Sequence, residues 1–345
     1  MRIGILTFHD GINFGAYLQV FSLKQCLTEL GHDVKVIHYK KYGFLIKEYI
    51  HFIKRKHSYG QNITKINKFH KVFKHLNLTK HYNDVKKIKE DFDVVFFGSD
   101  EIWNINSTAT SMDTAYFGNG IPGKAKFVSY GPSFGSTKQG DKKLEEIKPL
   151  LDRYSSISVR DYNSQKIVTN LTGEEPTLVP DPTFLIDQYE RIKYPTIDEK
   201  YVIIYASVIK DEDIEIVKAY CKEKGLMLIS LGIKYSWADK SVIGISPFEW
   251  LGWMKNAEYI FTSMFHGTIF SIILNKNFTV FMDPYRLNKF SYLIDFLGLD
   301  NRIYHNNPNA IGTSIDYDNL NKRINDFSLQ GKNFIKAALT KINES

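Results

Sequence analysis

Short β-rich runs alternate with helix-period stretches along almost the whole chain, and that alternation leaves few architectures open. "RIGILTF" at residues 2–8 reads as a strand, "GAYLQVFSLKQCLTEL" as an amphipathic helix, and "DVKVIHY" as the next strand. Connections this short between strand, helix and strand predict a parallel sheet. "FDVVFFG", "KAKFVSYG" and "YSSISVR" continue the strand series, and "PTLVPDPTFLI" closes it with Pro–Asp–Pro punctuation. After the polar stretch 187–200 the alternation restarts with "YVIIYASV", a helix through "DEDIEIVKAYCKEKG", and "LMLISLG". "SPFEWLGWMKNA" then opens a helix, with Ser246, Pro247 and Glu249 placed as N-cap, N1 and N3 of a capping box. "EYIFTS" and "NFTVFMD" are the last strands. At 345 residues the chain exceeds what one core ordinarily supports. The expected architecture is therefore α/β, with Rossmann-like domains at 1–190 and 191–345. By analogy the two face each other across a cleft.

Composition narrows the setting. Two cysteines, Cys26 and Cys221, lie far apart without metal or redox spacing, which points to free thiols in a reducing compartment. No apolar run has the length of a membrane span or a signal peptide, so a cytoplasmic protein is expected. The net charge of +7 is uneven: residues 40–90 carry 14 Lys/Arg against 3 Asp/Glu. This insertion, with aromatics between its lysines, reads either as solvated amphipathic helices or as a patch for an anionic membrane or lipid phosphate. No nucleic-acid module accompanies it. No metal is expected, because no ligand cluster shows in the spacing.

In parallel α/β sheets chemistry follows the carboxyl ends of strands, and five such loops are loaded here. "FHDGINFG" sets Asn13 beside Gly11 and Gly15 just before a helix, where backbone amides could meet an anion. A tight turn explains the same glycines. "GSDEIWN" offers Asp100 as a carboxylate beside an aromatic and an amide; alternatively Asp100 caps a helix and Trp103 is core. "SYGPSFG" presents Ser133 in a glycine-rich loop without the setting of a nucleophile. "SVRD" puts Arg160 where a buried strand meets a turn, a costly place for an unpaired guanidinium. "TSMFHGTIFSIIL" starts a helix at His266 and Gly267, where free N–H groups favour negative charge. Arg286 and Lys289 follow in "YRLNKF". Arg160, His266, Arg286 and Lys289 together point to a small anionic ligand between the domains.

The ordered set "NFGAYLQVFSL", "GSDEIWN", "SYGPSFG", "SVRD", "PDPTFL", "TSMFHGTIFSIIL" and "NKFSYLIDFLGLDNRI" resembles the polysaccharide pyruvyl transferase family from Arg2 to about Arg302. The resemblance implies a GT-B-like fold. It also implies transfer of the enolpyruvyl unit of phosphoenolpyruvate onto two hydroxyls of a glycan or its lipid-linked precursor, forming a pyruvate ketal. Phosphoenolpyruvate is then a co-substrate rather than a cofactor, and ketal transfer needs no metal. Under this reading Arg160, His266, Gly267, Arg286, Lys289, Asn13, Gly15 and Ser133 surround the donor. His266 is the candidate acid, and Asp100 a base or a ligand of the acceptor hydroxyl. Here the serine of Ser263-Met264-Phe265-His266-Gly267 stands one position further from the histidine than in the family's usual Ser-Phe-His-Gly. A basic insertion would suit a lipid-linked acceptor at the inner membrane face. The alternative enzyme is a GT-B glycosyltransferase using a nucleotide sugar, although no late acidic nucleoside-binding motif is evident.

Overall fold

The computed structural model describes residues 1–41, 58–107, 112–186, 189, 191–282, 284–305 and 307–344. In the first half, β1 (Arg2–Leu6) leads into α1 (Phe14–Glu29) and β2 (Asp33–Val36). The helix α2 (Tyr59–Phe73) precedes β3 (Val94–Phe97), β4 (Lys126–Ser129) and β5 (Tyr154–Ser156). These strands form one parallel sheet in the order β2-β1-β3-β4-β5. The strand β6 (Ser158–Val159), the helix α3 (Tyr162–Thr172) and β7 (Thr177–Leu178) follow, with β6 and β7 paired by themselves. The sequence predicts a full strand through "PTLVPDPTFLI". Only its first residues pair, because Pro180 and Pro182 cannot donate to a ladder and the chain turns into a single 3-10 turn at Pro182–Phe184.

The second half repeats the plan. Its elements are β8 (Tyr201–Tyr205), α4 (Asp211–Lys224), β9 (Met227–Leu231), β10 (Lys240–Val242), α5 (Pro247–Asn256), β11 (Tyr259–Thr262), α6 (Phe265–Ile273) and β12 (Phe278–Val280). The sheet order β10-β9-β8-β11-β12 is again all parallel. The capping box forms as read: the Glu249 N–H donates to Ser246 Oγ (3.2 Å), and the Ser246 N–H to Glu249 Oε2 (2.8 Å). Each sheet reverses its winding once, between β1 and β3 and between β8 and β11. In such sheets the crevice for a ligand opens at the carboxyl ends beside that reversal.

The helices α7 (Pro284–Leu297) and α8 (Tyr317–Asn343) return to the first half. Gln330 Nε2 donates to the Leu178 carbonyl (2.9 Å), Lys341 Nζ to the Ser155 carbonyl (2.8 Å), and Tyr162 Oη to Asp295 Oδ2 (2.6 Å). The sheets divide near residue 190, whereas the end of the chain packs across that line.

Aromatic residues join the halves. Phe14, fully buried at the start of α1, stacks on Trp250 of α5 with ring centroids 5.4 Å apart and packs on Phe69 of α2. Part of the basic insertion is thus interior. Lys65 is buried with its ammonium 4.2 Å from the Phe14 ring centre, and Lys68 pairs with Glu249 at 2.7 Å. Lys65 and Lys68 thus lie on the inward side of an amphipathic helix; residues 42–57 lie outside the described residues. Cys26 and Cys221 are buried and form no disulfide among the described residues. Among the described residues no helix is long and apolar enough to cross a membrane.

Candidate active site

Strand ends from both reversals converge on one cleft of about 290 Å³. Asn13 comes from the loop after β1, Asp100 and Glu101 from the loop after β3, and Arg160 from the end of β6. The opposite wall holds Tyr205 and Ser207 after β8, then Ser263 to His266 after β11, with Lys289 of α7 at the side.

Arg160 is the electrostatic centre. Its side chain is buried, with Nη1 donating to Asp181 Oδ2 (2.9 Å) and Nη2 lying 3.4 Å from Asp100 Oδ1. Burial alone would pull its pKa down; Asp100, Asp181 and Glu101 outweigh it and hold the guanidinium charged. The guanidinium carbon lies 4.5 Å from the centre of the Phe265 ring, a cation–π contact reaching across from the other half. Asp100 takes a left-handed backbone (φ 69°), which short polar residues tolerate best.

Asp181 escapes a reading of strand-end loops, because it sits in the turn between Pro180 and Pro182. Its only sequence signal is a carboxylate held between two prolines. The structure makes it the hub of the site. Oδ1 accepts from the Thr183 N–H (3.1 Å) and hydroxyl (2.9 Å), while Oδ2 faces both Arg160 and His266 Nε2, the latter at 3.7 Å. Burial would raise its pKa, but His266 and Arg160 prevail and bring it down to about 2. Its unfolded value is near 3.8. The carboxylate therefore adds stability above that pH, on the order of 2 kcal/mol, and loses it as pH falls through about 2. Denaturant unfolding followed from pH 5 to pH 2 is expected to show this loss, and Asp181→Asn to lack that part of the slope.

His266 is the second residue of α6, a helix without a side-chain cap. Its ring lies against α1 of the other half: a Cβ on Gly15 would coincide with the imidazole ring atoms. Gly15 is thus explained by the histidine packed on it rather than by close approach of an anion. Gly15→Ala is expected to displace His266, lowering turnover about tenfold or more, with Kd for the ligand changing less. Turnover and Kd measured side by side check this. Gly267 lies behind the cleft, its open face filled by Thr262 Oγ1 and the Tyr205 ring.

Other expected residues divide clearly. Asn13 lines the cleft, but its side-chain oxygen caps α1 through the N–H groups of Gly15 (3.0 Å) and Ala16 (3.3 Å). Ser133 is not brought to the cleft. It is fully buried, and its Oγ accepts from the Gly135 N–H (2.9 Å), so it shapes a turn. Trp103 is core, donating to the Tyr116 carbonyl (3.0 Å). Ser263 reaches the cleft, with its Oγ accepting from the Ser207 N–H (3.2 Å). Lys289 pairs with Glu101, whose pKa falls below the ordinary range because Lys289 outweighs the effect of burial. The side chain of Arg286 lies outside the described residues.

The absence of a ligand cluster read from spacing needs correction. The parallel neighbours β1 and β2 end side by side, so His9 and Asp10 meet His38 across the sheet.

The cleft can hold a small oxyanion between a guanidinium, an ammonium and an uncapped helix start. It can also deliver a proton from an imidazole whose charged form has a carboxylate partner. Among the described residues, Arg160 Nε and His266 Nε2 are buried without a hydrogen-bond partner. Buried polar atoms of that kind commonly mark a ligand or water position.

Comparison with known proteins gives the fold independent support. An assigned UDP-N-acetylglucosamine 2-epimerase from Listeria monocytogenes superposes with a TM-score of 0.57 at 9% identity, covering 99% of this chain and 96% of that one. The Staphylococcus aureus MnaA–UDP co-structure gives 0.54 at 11% identity, covering 97% and 94%. The UDP-GlcNAc 2-epimerase of Methanocaldococcus jannaschii gives 0.50 at 11%, covering 99% and 100%. At such identities the likeness speaks for the GT-B-like fold alone. No curated protein matches the chain. The sequence profile of the polysaccharide pyruvyl transferases, however, matches residues 13–282, a span running from the Asn13 cap through His266 to the end of β12. A match over that much of the chain makes this protein a member of the polysaccharide pyruvyl transferase family.

Proposed function

We propose that the protein transfers the enolpyruvyl group of phosphoenolpyruvate to two hydroxyls of one sugar in a surface polysaccharide or its lipid-linked precursor. The product is a pyruvate ketal. The observation that carries this reading is the placement of Arg160 and the uncapped start of α6 around one cleft, with His266 Nε2 beside Asp181. Phosphoenolpyruvate brings a carboxylate and a phosphate. Arg160 is suited to a planar oxyanion through paired hydrogen bonds, and the helix start and Lys289 to the second anion. The ligand competes with Asp100 for Arg160 and with Glu101 for Lys289; the Asp100 contact is long and its side chain partly exposed, so it is the easier to exchange.

In the reaction, protonated His266 gives its proton to the methylene carbon, which becomes the methyl group. One sugar hydroxyl adds to C2 and its proton passes to a base, with Asp100 the candidate. The C2–O bond to phosphate breaks, the second hydroxyl adds to C2, and its proton leaves with the phosphate. Asp181 stabilises the imidazolium before transfer. The same proposal includes an acceptor met at the cytoplasmic face of a membrane, which rests on the charge of residues 40–90.

Thermal unfolding with phosphoenolpyruvate, and separately with nucleotide sugars, tests the donor before any acceptor is known. A ligand at a hundred times its Kd adds about 2.7 kcal/mol and raises the midpoint. A rise with phosphoenolpyruvate alone supports the proposal and justifies screening glycans for a pyruvyl gain in mass. A rise only with a nucleotide sugar overturns it in favour of glycosyl transfer.

A further inference from the structure

Beyond the cleft, the exits of β1 and β2 carry a second cluster that the transfer chemistry does not use. His9 is fully buried, and its Nδ1 lies 3.0 Å from the Thr7 carbonyl. A carbonyl can only accept, so Nδ1 carries the proton and Nε2 of the neutral ring presents a lone pair. Among the described residues that Nε2 has no hydrogen-bond partner, and neither does Asp10 Oδ2. The other carboxylate oxygen, Oδ1, accepts from Lys40 Nζ at 3.0 Å. The His38 ring meets His9 edge-on at 5.1 Å between centroids, and the His81 ring meets that of His38 edge-on at 5.0 Å. One donor atom from each of His9, Asp10 and His38 lies within 4.8 Å of the others.

We infer that His9, Asp10 and His38 bind a divalent transition-metal ion, with Zn²⁺ the fitting class. Two imidazoles and one carboxylate are a borderline donor set, suited to zinc rather than to the all-oxygen preference of Mg²⁺ or Ca²⁺. Bonds of about 2.0–2.2 Å leave tetrahedral donor atoms roughly 3.5 Å apart, so small side-chain shifts close the triad around an ion. The backbone carbonyl on His9 Nδ1 is the outer partner that metal-binding histidines commonly have. Lys40 holds Oδ1 and leaves Oδ2 to the metal. An ion here ties the β1 exit, which leads to Asn13 and Gly15, to the end of β2. Nothing in this inference depends on the donor or acceptor in the cleft.

The test is calorimetric titration of full-length, chelator-stripped protein with Zn²⁺, together with the visible absorption of a Co²⁺ derivative. Wild type is expected to take up one ion per chain and to show cobalt d–d bands. Asp10→Asn and His38→Ala are expected to weaken binding roughly 100-fold or more and to abolish the bands, whereas His32→Ala, at the opposite end of β2, keeps both. His38 and Asp10 are only partly buried, so these variants probe the site with less risk to folding than His9→Ala, and their unfolding midpoints without metal confirm an intact fold. No saturable Zn²⁺ binding by wild type overturns the inference. So does wild-type affinity in the Asp10 and His38 variants.

Discussion

Arg160→Ala is expected to weaken phosphoenolpyruvate binding by roughly 10²-fold or more, since truncating one member of a buried charge pair costs about 2–5 kcal/mol in binding. The same change removes the main partner of Asp181, which is almost wholly buried. An uncompensated buried charge costs about 3–5 kcal/mol of stability, so the denaturation midpoint should fall as well. Arg160→Lys separates the two effects. It restores a cation near Asp181 and recovers much of the stability, but it lacks the planar fork and should still bind the donor poorly. Calorimetry and urea unfolding on the three proteins decide this. Donor affinity unchanged in Arg160→Ala would remove the residue from the binding site.

His266→Ala is expected to lower turnover by roughly 10²–10⁴-fold, the usual worth of a positioned acid or base, while donor affinity changes much less. The imidazole is mostly buried, packs on Gly15 and Phe265 and helps hold the Asp181 carboxylate charged, so some stability should be lost as well, and turnover is compared under conditions where both proteins are folded. His266→Gln keeps a donor of similar size without a transferable proton and should be as inactive as the alanine variant. An equal loss in Kd and no further loss in kcat would make His266 a binding group rather than the acid. Asp181→Asn extends the test: it leaves His266 in place but takes away the carboxylate charge 3.7 Å from its Nε2. Turnover should therefore fall, with donor affinity changing much less.

Much of this architecture is readable because strand and helix periods are local properties. Both parallel sheets follow from runs such as "VVFF" and "YVIIY", and the α5 capping box from three residues. Strand-end logic also finds Asp100, Arg160 and His266. Long-range pairing within the site is not readable in this way. Asp181 meets His266 only because two separate sheets face each other, and Lys289 meets Glu101, 188 residues away, only because α7 returns to the first half. Gly15 shows the same limit. Its local reading is a helix-start glycine, and only the fold reveals the imidazole packed on it. The metal-ligand cluster escapes because His9 and His38 are neighbours through β-ladder register rather than sequence spacing. Ser133 illustrates the converse: a glycine-rich loop at a strand end looks like a site whether its hydroxyl faces a ligand or, as here, a turn amide.

The return of α7 and α8 governs how the cleft can move. Tyr162 is bonded to Asp295, Leu178 to Gln330 and Ser155 to Lys341, so the first half is gripped by chain that has already passed through the second sheet. Topologically the two lobes are links of a closed circuit rather than beads on one thread. A clam-shell opening about the 187–200 connection would have to tear these bonds, whereas a small sliding of one lobe past the other could keep them. Lys289 rides on the part of the circuit fastened to the first lobe, and His266 on the other. Any such sliding would change the separation between the ammonium and the imidazole, and thereby which of the two anions of a ligand each can reach.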